Sequence, residues 1–368
     1  TALIIGTLSV VRQANYMINK DLGYNPDGVL RVEFADTSMV RIQRLQQILS
    51  EHSEITGSTV HDYPVCESSN WTRVSWDGAQ ENEFIRMNVN YTDHHYLDVY
   101  QMRLVDGFGF TGEQQGTDAE GNQVILNRAA LNRIGIDDPI GKKLRYGGDY
   151  RGGVEGNQAT IVGIIDDFHF LSVHNNITPL MLRLFNEAQT GQSISVRFSS
   201  SDVAGIRDYI QEEFLEIFPE LAFDYEFVDE FHREMYAEER LMSKIVLYIA
   251  IIVNIIAALG LYGLIAYTTS LRTREVGLRK VLGANFVIIS KLFSREFLIL
   301  VIIANLVSWP AIYFVNHHWL QSFPYKVNNA IWPYLAAFAL TLLVAWGSML
   351  YHTYRASTIN PAESLRYE

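Results

Sequence analysis

The segment IVLYIAIIVNIIAALGLYGLIAY, Ile245 to Tyr267, carries no charge, and the basic stretch SLRTREVGLRKVLGAN, Ser270 to Asn285, follows it almost at once. A helix of this length spans about 34 Å, enough to cross the roughly 30 Å hydrocarbon core of a bilayer. Two further apolar segments of adequate length follow, at 297–315 and 331–350. The sequence therefore predicts three transmembrane helices in the last third of the chain.

Charge is divided unevenly along the 368 residues. Residues 244–368 carry ten Lys/Arg and four Asp/Glu, a net of +6, whereas the whole chain is −12, so residues 1–243 carry −18. This acidic balance argues against nucleic acid as a partner of the larger region, because binding to phosphates needs a basic face. The single cysteine, Cys66, excludes an internal disulfide.

Lys and Arg in the short loops predict the orientation in the membrane, because cytoplasmic loops are enriched in these residues. The loop 268–291 holds five of them, the tail 351–368 two, and the loop 316–330 only one. We therefore expect loop 268–291 and the tail to be cytoplasmic, and loop 316–330 to lie outside with the acidic region 13–243. Residues 1–12 lack the features of a signal peptide, and we interpret them as the end of a first transmembrane helix that begins before residue 1.

The first predicted span contains a seam of small and polar residues. Ala250, Asn254 and Ala258 recur every four residues, and Gly260 follows. An unpaired amide is costly in lipid, so Asn254 is expected to face another helix. Helix packing is the simpler role for this seam, and contact with a substrate is the alternative.

The basic stretch has the pattern of a short amphipathic helix. Leu278, Val281 and Leu282 form an apolar stripe, Arg272, Glu275 and Arg279 form a charged face, and Gly283 is placed to end the helix. Such a helix between two spans could lie on anionic lipid, or it could dock in a groove of a cytoplasmic protein. The pattern alone leaves both roles open.

The stretch RTREVGLRKVLGAN (272–285) resembles the cytoplasmic loop signature of FtsX/MacB-type ABC transporter permeases. The closing INPAESLRYE (359–368) is similar to the tail of that family, and NKDLGYNPDGVL (19–30) and IVGIIDDFHFLSVHNNITPLML (161–182) resemble its periplasmic domain. The resemblance implies a bacterial inner-membrane protein with one helix before a large periplasmic domain and three helices after it. It also implies that the loop helix contacts a cytoplasmic ABC ATPase through the residues at the matching positions, which are Arg272, Arg274, Glu275, Arg279, Lys280 and Gly283.

The periplasmic region 13–243 is expected to be an α/β domain. Two β-α-β patterns, in about 25–65 and 191–230, suggest a split ferredoxin-like lobe. Residues of about 66–190 would form an inserted, mostly-β lobe. The charged segment 229–244 reads as one stalk helix that leads into the membrane.

Motifs for catalysis are missing from the sequence. Nothing matches the phosphate-binding pattern G-x-x-x-x-G-K-[ST], so ATP hydrolysis is expected in a partner subunit. The pairs His94/His95 and Asp166/Asp167 are close in sequence, but neighbours in an extended chain point to opposite sides, so we predict no metal and no cofactor.

The leading hypothesis is a mechanotransmission permease that moves its periplasmic domain to act on a peptide, lipoprotein or partner protein. The expected partners are the ATPase, a second permease half or a second copy in a homodimer, and the lipid bilayer. One alternative is an ATPase-driven regulator of a periplasmic cell-wall enzyme. The other is a membrane-anchored receptor without an ATPase.

Overall fold

The computed structural model describes residues 1–34, 38–65, 70–80, 83–110, 122–147, 157–185, 191–271, 286–328 and 330–358. The chain divides into two compact units. One, the helical unit, comprises Thr1–Asn19 and Ala237–Glu368, and the other, the sheet unit, comprises Lys20–Tyr236.

The elements follow one another as α1 (Ala2–Ile18), β1 (Val29–Glu33), α2 (Met39–Ser50), β2 (Ile55–His61), β3 (Asn70–Trp76), β4 (Ile85–Thr92), α3 (Tyr96–Val99), β5 (Leu104–Gly107), β6 (Gln123–Asn127), α4 (Arg128–Ile134), β7 (Lys143–Tyr146), β8 (Asn157–Ile165), β9 (Leu180–Leu184), β10 (Ser193–Phe198), α5 (Val203–Ile217), β11 (Asp224–Phe227), α6 (Val228–Met235), α7 (Ala237–Leu271), α8 (Phe286–Leu320) and α9 (Trp332–Thr358). An α/β region is thus followed by a helical one, and the expected fold class is confirmed.

The first lobe of the sheet unit has the strand order β11-β1-β10-β2, and all neighbouring strands are antiparallel. α2 lies between β1 and β2 in sequence, and α5 between β10 and β11, which is the ferredoxin-like arrangement. Each helix buries an apolar stripe against the sheet, because its apolar residues recur at intervals of three or four. The stripes are Ile42, Leu45 and Leu49 of α2 and Ile206, Ile210 and Phe214 of α5.

The inserted lobe is a closed ring of six strands. The order β4-β3-β7-β8-β6-β9 is completed by a parallel pairing of β9 with β4, so each strand of the ring has two neighbours. Closure leaves these strands without an unpaired edge. Fully buried side chains that alternate along the strands form its core, among them Val74, Met87, Val124, Leu126 and Leu144. In the part of the chain that the structure describes, one strand pair, His61 with Thr92, connects β4 of the ring to β2 of the first lobe.

The structure differs from the expected single stalk helix at 229–244. α6 ends at Met235 and α7 begins at Ala237, with Tyr236 between them at φ −106° and ψ 18°. The Tyr236 ring is fully buried in the sheet unit, its hydroxyl accepts the Val173 N–H at 2.9 Å, and it packs edge-on against His232. These contacts account for the break, because they hold the side chain at a position where the backbone leaves helical geometry.

The helical unit contains three helices that are long and apolar enough to cross a membrane, Ala237–Thr268, Leu298–Leu320 and Trp332–Tyr351, among the residues that were described. α1 continues to Ile18, six residues beyond the expected end at residue 12. Its inner face packs through Ile4 and Ile5 against Ala337 of α9, and Trp309 and Ile312 of α8 complete this small core.

Candidate functional site

The helices α1, α7, α8 and α9 line an apolar cavity of about 610 Å³ that is partly open to the surroundings. Space remains between them because many of the side chains that face it are small. Because its lining is apolar, the space suits a hydrocarbon group or a side chain of another helix. The residues that line it include Thr7, Leu8, Leu247, Ala250, Asn254, Ala257, Ala258, Leu261, Ala304, Asn305, Thr341 and Ala345.

Three of the four seam residues of α7 lie on this cavity. Ala250 is buried, and Asn254 and Ala258 are half-buried at its wall. The Asn254 amide donates to the Ala250 carbonyl at 2.7 Å, so its hydrogen bond stays within its own helix. Gly260 is exposed, and a Cβ added there would meet no described atom within 4 Å. A role of the seam in helix packing stays a prediction, and for Gly260 it would need a contact with something other than the described residues.

Most polar groups that face the cavity are satisfied within the walls. Asn305 donates to the Val301 carbonyl at 2.7 Å and accepts from the Trp309 indole at 3.1 Å. Thr341 donates to the Ala337 carbonyl at 2.9 Å. By contrast, the buried Thr7 hydroxyl has no hydrogen-bond partner among the described residues. An unpaired hydroxyl in apolar surroundings costs free energy, so Thr7 is the polar position that a bound group could satisfy.

α1 is tied to the segment between α8 and α9 by side chains that the sequence analysis missed. The buried Gln13 amide donates to the Tyr325 carbonyl at 2.8 Å and accepts the Val327 N–H at 3.0 Å. Asn316 also donates to the Ser9 hydroxyl at 3.0 Å. The sequence feature that could have indicated this contact is Gln13 itself, a glutamine that follows a mostly apolar stretch of α1. A buried amide needs hydrogen-bond partners.

The predicted coupling residues lie in the segment 272–285, between the end of α7 and the start of α8. This segment is outside the described residues, so their placement stays a prediction. They are Arg272, Arg274, Glu275, Arg279, Lys280 and Gly283.

A serine and a histidine meet inside the sheet unit, as a nucleophile and its base would. Ser195 Oγ lies 2.8 Å from His61 Nε2 and 2.9 Å from the Tyr100 hydroxyl. All three side chains are fully buried, so no substrate reaches them. Burial, followed by the positive charge of Arg31, lowers the pKa of His61 to about 3, and the ring is therefore neutral at physiological pH. The trio links β2, β10 and the end of α3 as a polar contact within the core.

The acidic and histidine pairs considered as metal ligands have other contacts. The rings of His94 and His95 lie against each other, with centroids 3.8 Å apart and planes tilted by 42°. Asp166 pairs with Arg128 at 3.1 Å, and Asp167 accepts the Ala129 N–H at 2.8 Å, at the start of α4. In the part of the chain that the structure describes, no group of three or more His, Cys, Asp and Glu side chains could hold a metal ion.

Two protein-family models match the chain. Residues 1–213 match the MacB-like periplasmic core domain, and residues 247–361 match the FtsX-like permease C-terminal region. No curated protein sequence matches the chain.

Solved structures with a similar fold have low sequence identity to the chain. The periplasmic region of MacB from Actinobacillus actinomycetemcomitans is 14% identical, with 60% of this chain and 98% of that chain covered and a TM-score of 0.42. The extracellular domain of the noncanonical ABC-type transporter YknZ from Gram-positive bacteria is 13% identical, with coverages of 54% and 98% and a TM-score of 0.38. A domain of a putative permease protein from Porphyromonas gingivalis is 16% identical, with coverages of 54% and 89% and a TM-score of 0.36.

Proposed function

This chain belongs to the family of FtsX-like ABC transporter permeases with a MacB-like periplasmic core domain, and from that premise we propose that it is a mechanotransmission subunit. It is an inner-membrane protein with a periplasmic domain, and the resemblance first seen in its sequence is confirmed. In the proposed mechanism, a separate cytoplasmic ATPase binds ATP, and the resulting movement of the permease helices displaces the periplasmic domain. That domain then acts on a peptide, a lipoprotein or a partner protein.

The connectivity of the chain supports a mechanical role. The chain enters the sheet unit from α1 and returns by α7, and a single residue, Tyr236, separates α6 from α7. Helices resist compression and bending because every turn is hydrogen-bonded. A displacement of α1 or α7 is therefore passed to the periplasmic domain over short stretches of chain.

The observation that carries the proposal is the set of hydrogen bonds that hold α1 against α8 and the segment after it. Gln13 bonds to two backbone groups there, the Tyr325 carbonyl and the Val327 N–H, and Asn316 of α8 donates to Ser9, one helical turn before Gln13 in α1. α1 is thus joined to α8 and to the segment after it by hydrogen bonds that are partly shielded from water. Force applied to the cytoplasmic end of α8 would therefore also move α1.

The described part of the helical unit has no polar pathway that would suit a hydrophilic cargo. Its cavity is apolar, and the walls satisfy the amides of Asn254 and Asn305 themselves. Polar pathways through membranes are lined by charged side chains or histidines, and the segment Ile245–Tyr267 has no Asp, Glu, Lys, Arg or His. Both facts favour work done on the periplasmic side over a wide channel through the membrane.

The proposal assigns contact with the ATPase to the segment 272–285. It is tested by purifying the full-length protein from its native membrane in detergent and identifying bound proteins by mass spectrometry. The test variant is Arg279→Glu with Lys280→Glu, and the matched control is Arg355→Glu with Arg366→Glu, which reverses two charges in the cytoplasmic tail. We expect an ABC ATPase to accompany the native chain and the control, and to be lost from the test variant.

Two results would contradict the proposal. If the ATPase stays bound to the test variant, the basic segment is not its docking helix. If no ATPase accompanies any of the three proteins, the segment is a lipid contact, and the receptor hypothesis replaces the permease hypothesis.

A further inference from the structure

An exposed patch of arginines and aromatic rings lies on the outer face of the six-stranded ring. We call Trp71, Arg73, Phe84, Arg86 and Arg145 the arginine–aromatic patch. Trp71 and Phe84 are each 45% exposed, although large aromatic side chains are usually covered. The strands in this region are paired on both sides, so the patch presents side chains and no free backbone edge.

The register of the strands explains how the patch is assembled. Arg73 of β3 lies directly opposite Arg86 of β4, and Arg145 of β7 lies opposite Ser75 of β3. Residues opposite one another and residues two apart on a strand point to the same face. Three guanidinium groups therefore share one face of three adjacent strands.

Each of the two facing arginines is stacked on an aromatic ring that lies diagonally across the strand pair. The guanidinium carbon of Arg86 is 3.6 Å from the Trp71 ring centroid, and that of Arg73 is 4.9 Å from the Phe84 ring centroid. Stacking uses the flat side of a guanidinium, so the N–H edge of Arg86 can still donate to an acceptor. The two rings thus hold positive groups in place on this face.

Arg73 and Arg86 bring like charges directly opposite each other, an arrangement that by itself disfavours the folded sheet. Neither Arg86 nor Arg145 forms an ion pair with a described acidic side chain. The cluster also stands out against a region, residues 1–243, that carries a net charge of −18. A bound anion would offset the positive charges of Arg86 and Arg145 and accept hydrogen bonds from them.

We propose that the arginine–aromatic patch binds an acidic segment of a periplasmic partner protein. Guanidinium groups pair with carboxylates through two parallel hydrogen bonds, and the Trp71 and Phe84 rings would cover apolar side chains between them. Tryptophan and arginine are the residues that contribute most often to protein–protein binding. The proposal rests on the proposed function only because that function places the sheet unit in the periplasm.

The net negative charge of the domain favours an acidic protein segment over an anionic bilayer as the ligand of the patch. A membrane surface would bring its negative charge close to much of the acidic domain and be repelled. A short acidic segment touches only the patch, where local attraction outweighs the screened field of distant carboxylates. A second copy of this chain could also supply carboxylates, and the experiment separates that case.

The experiment measures binding of a fluorescein-labelled peptide of glutamate, leucine and glycine to the full-length protein in phosphatidylcholine nanodiscs, by fluorescence anisotropy. A peptide with lysine in place of glutamate is the control ligand. We expect only the acidic peptide to bind, and its binding to weaken as salt rises from about 0.05 to 0.5 M. Arg86→Glu and Trp71→Ala should each raise the dissociation constant by at least about tenfold.

Arg133→Glu is the matched protein control, because Arg133 is exposed on α4 of the same lobe and outside the patch. It changes the net charge as Arg86→Glu does and should leave binding within about twofold of the native value. Circular dichroism of each variant establishes that it is folded. If the acidic peptide does not bind, or if Arg133→Glu weakens it as much as Arg86→Glu, the proposal is wrong.

Two further outcomes would assign the patch to another occupant and also overturn the proposal. One is patch-dependent binding to phosphatidylglycerol vesicles without binding to the peptide. The other is self-association of the nanodisc-embedded protein that Arg86→Glu abolishes. Copurification of the ATPase should be unaffected by Arg86→Glu, so failure of this inference can be told apart from failure of the proposed function.

Discussion

The side-chain carbonyl of Gln13 accepts the backbone N–H of Val327 at 3.0 Å, across 314 positions of sequence. The same side chain donates to the Tyr325 carbonyl, and it is only 1% exposed. One glutamine of α1 therefore satisfies two backbone groups of the segment between α8 and α9. Backbone groups shielded from water need such partners, so the contact fastens α1 as well as the segment.

Replacement of Gln13 by leucine is expected to loosen this attachment. The substitution keeps the size of the side chain but leaves the Val327 N–H and the Tyr325 carbonyl without their partner, at a cost of about 1–3 kcal/mol. Thermal unfolding of the detergent-solubilised protein should shift to lower temperature, and protease should cut more readily at 321–328. Arg12→Ala is the control, because the Arg12 hydrogen bond to the Asn328 carbonyl is exposed. Equal melting temperatures for the native chain and Gln13→Leu would contradict the expectation.

Local patterns in the sequence were enough to predict the apolar helices and the first lobe. The spans are long uncharged runs, and α2 repeats its apolar residues Ile42, Leu45 and Leu49 at helical spacing. Closure of the ring could not be predicted, because it depends on a parallel pairing of Asn88 with Leu180 that no local pattern encodes. The break at Tyr236 was missed for the same reason, since its cause is a contact with Val173.

The candidate site was predictable only in part. The spacing of Ala250, Asn254 and Ala258 identified the face of α7 that lines the cavity. It did not indicate that the Asn254 amide would donate to a carbonyl of its own helix. Which partner a side chain bonds depends on where the neighbouring helices lie, and the sequence of one helix does not contain that information. The arginine–aromatic patch depends on the register of three strands, which the sequence does not specify.

Asp93 is expected to stabilise the junction of the two lobes. Its buried carboxylate accepts from the Thr59 hydroxyl at 2.5 Å, the Val60 N–H at 2.9 Å and the Gln46 amide at 2.8 Å. Asp93→Asn keeps the shape but places an amide N–H₂ where an acceptor is required. Since hydrogen bonds to a charged group contribute most, we expect a loss of roughly 2–3 kcal/mol of unfolding free energy.

Urea unfolding followed by tryptophan fluorescence measures this loss, because Trp71 and Trp76 lie in the sheet unit. Asp98→Asn, at an exposed acid of α3, is the matched control and should change the unfolding free energy by less than about 0.5 kcal/mol. A loss at Asp93 no larger than at Asp98 would show that the Thr59, Val60 and Gln46 donors find other acceptors.

His61 is expected to make the sheet unit sensitive to acid. Its pKa is about 3 in the folded protein and 6.5 in the unfolded chain, so the unfolded state alone takes up a proton as the pH falls below 6.5. Stability from this residue is complete above pH 6.5 and is lost as the pH falls towards 3. The loss amounts to about 2 kcal/mol between pH 6.5 and 5.

Asp62, the next residue, has the opposite effect. Burial raises the pKa of Asp62 to about 6, so the folded state takes up this proton before the unfolded state does, and stability rises as the pH falls from 6 towards 3.8. The pH dependence of stability in the native chain is the sum of the His61 and Asp62 effects. Variants at one of the two residues separate them. The unfolding free energy of His61→Gln should fall less than that of the native chain as the pH is lowered from about 7.5 to about 5. If the unfolding free energies of the native chain and His61→Gln change in parallel with pH, His61 becomes protonated in the folded protein as well.

Substitution of Thr7 tests whether the cavity is occupied in the assembled transporter. Thr7→Val preserves the shape and removes the one buried hydroxyl at the cavity that lacks a described partner, so the isolated chain should be as stable as before or up to about 1–2 kcal/mol more stable. Ser9→Ala is the contrasting variant, since the Ser9 hydroxyl accepts from Asn316 and its loss should destabilise the helices. Both are measured by thermal unfolding in detergent. If the hydroxyl serves a second permease half instead, Thr7→Val will lower the yield of the assembled complex while leaving the melting temperature of the single chain unchanged.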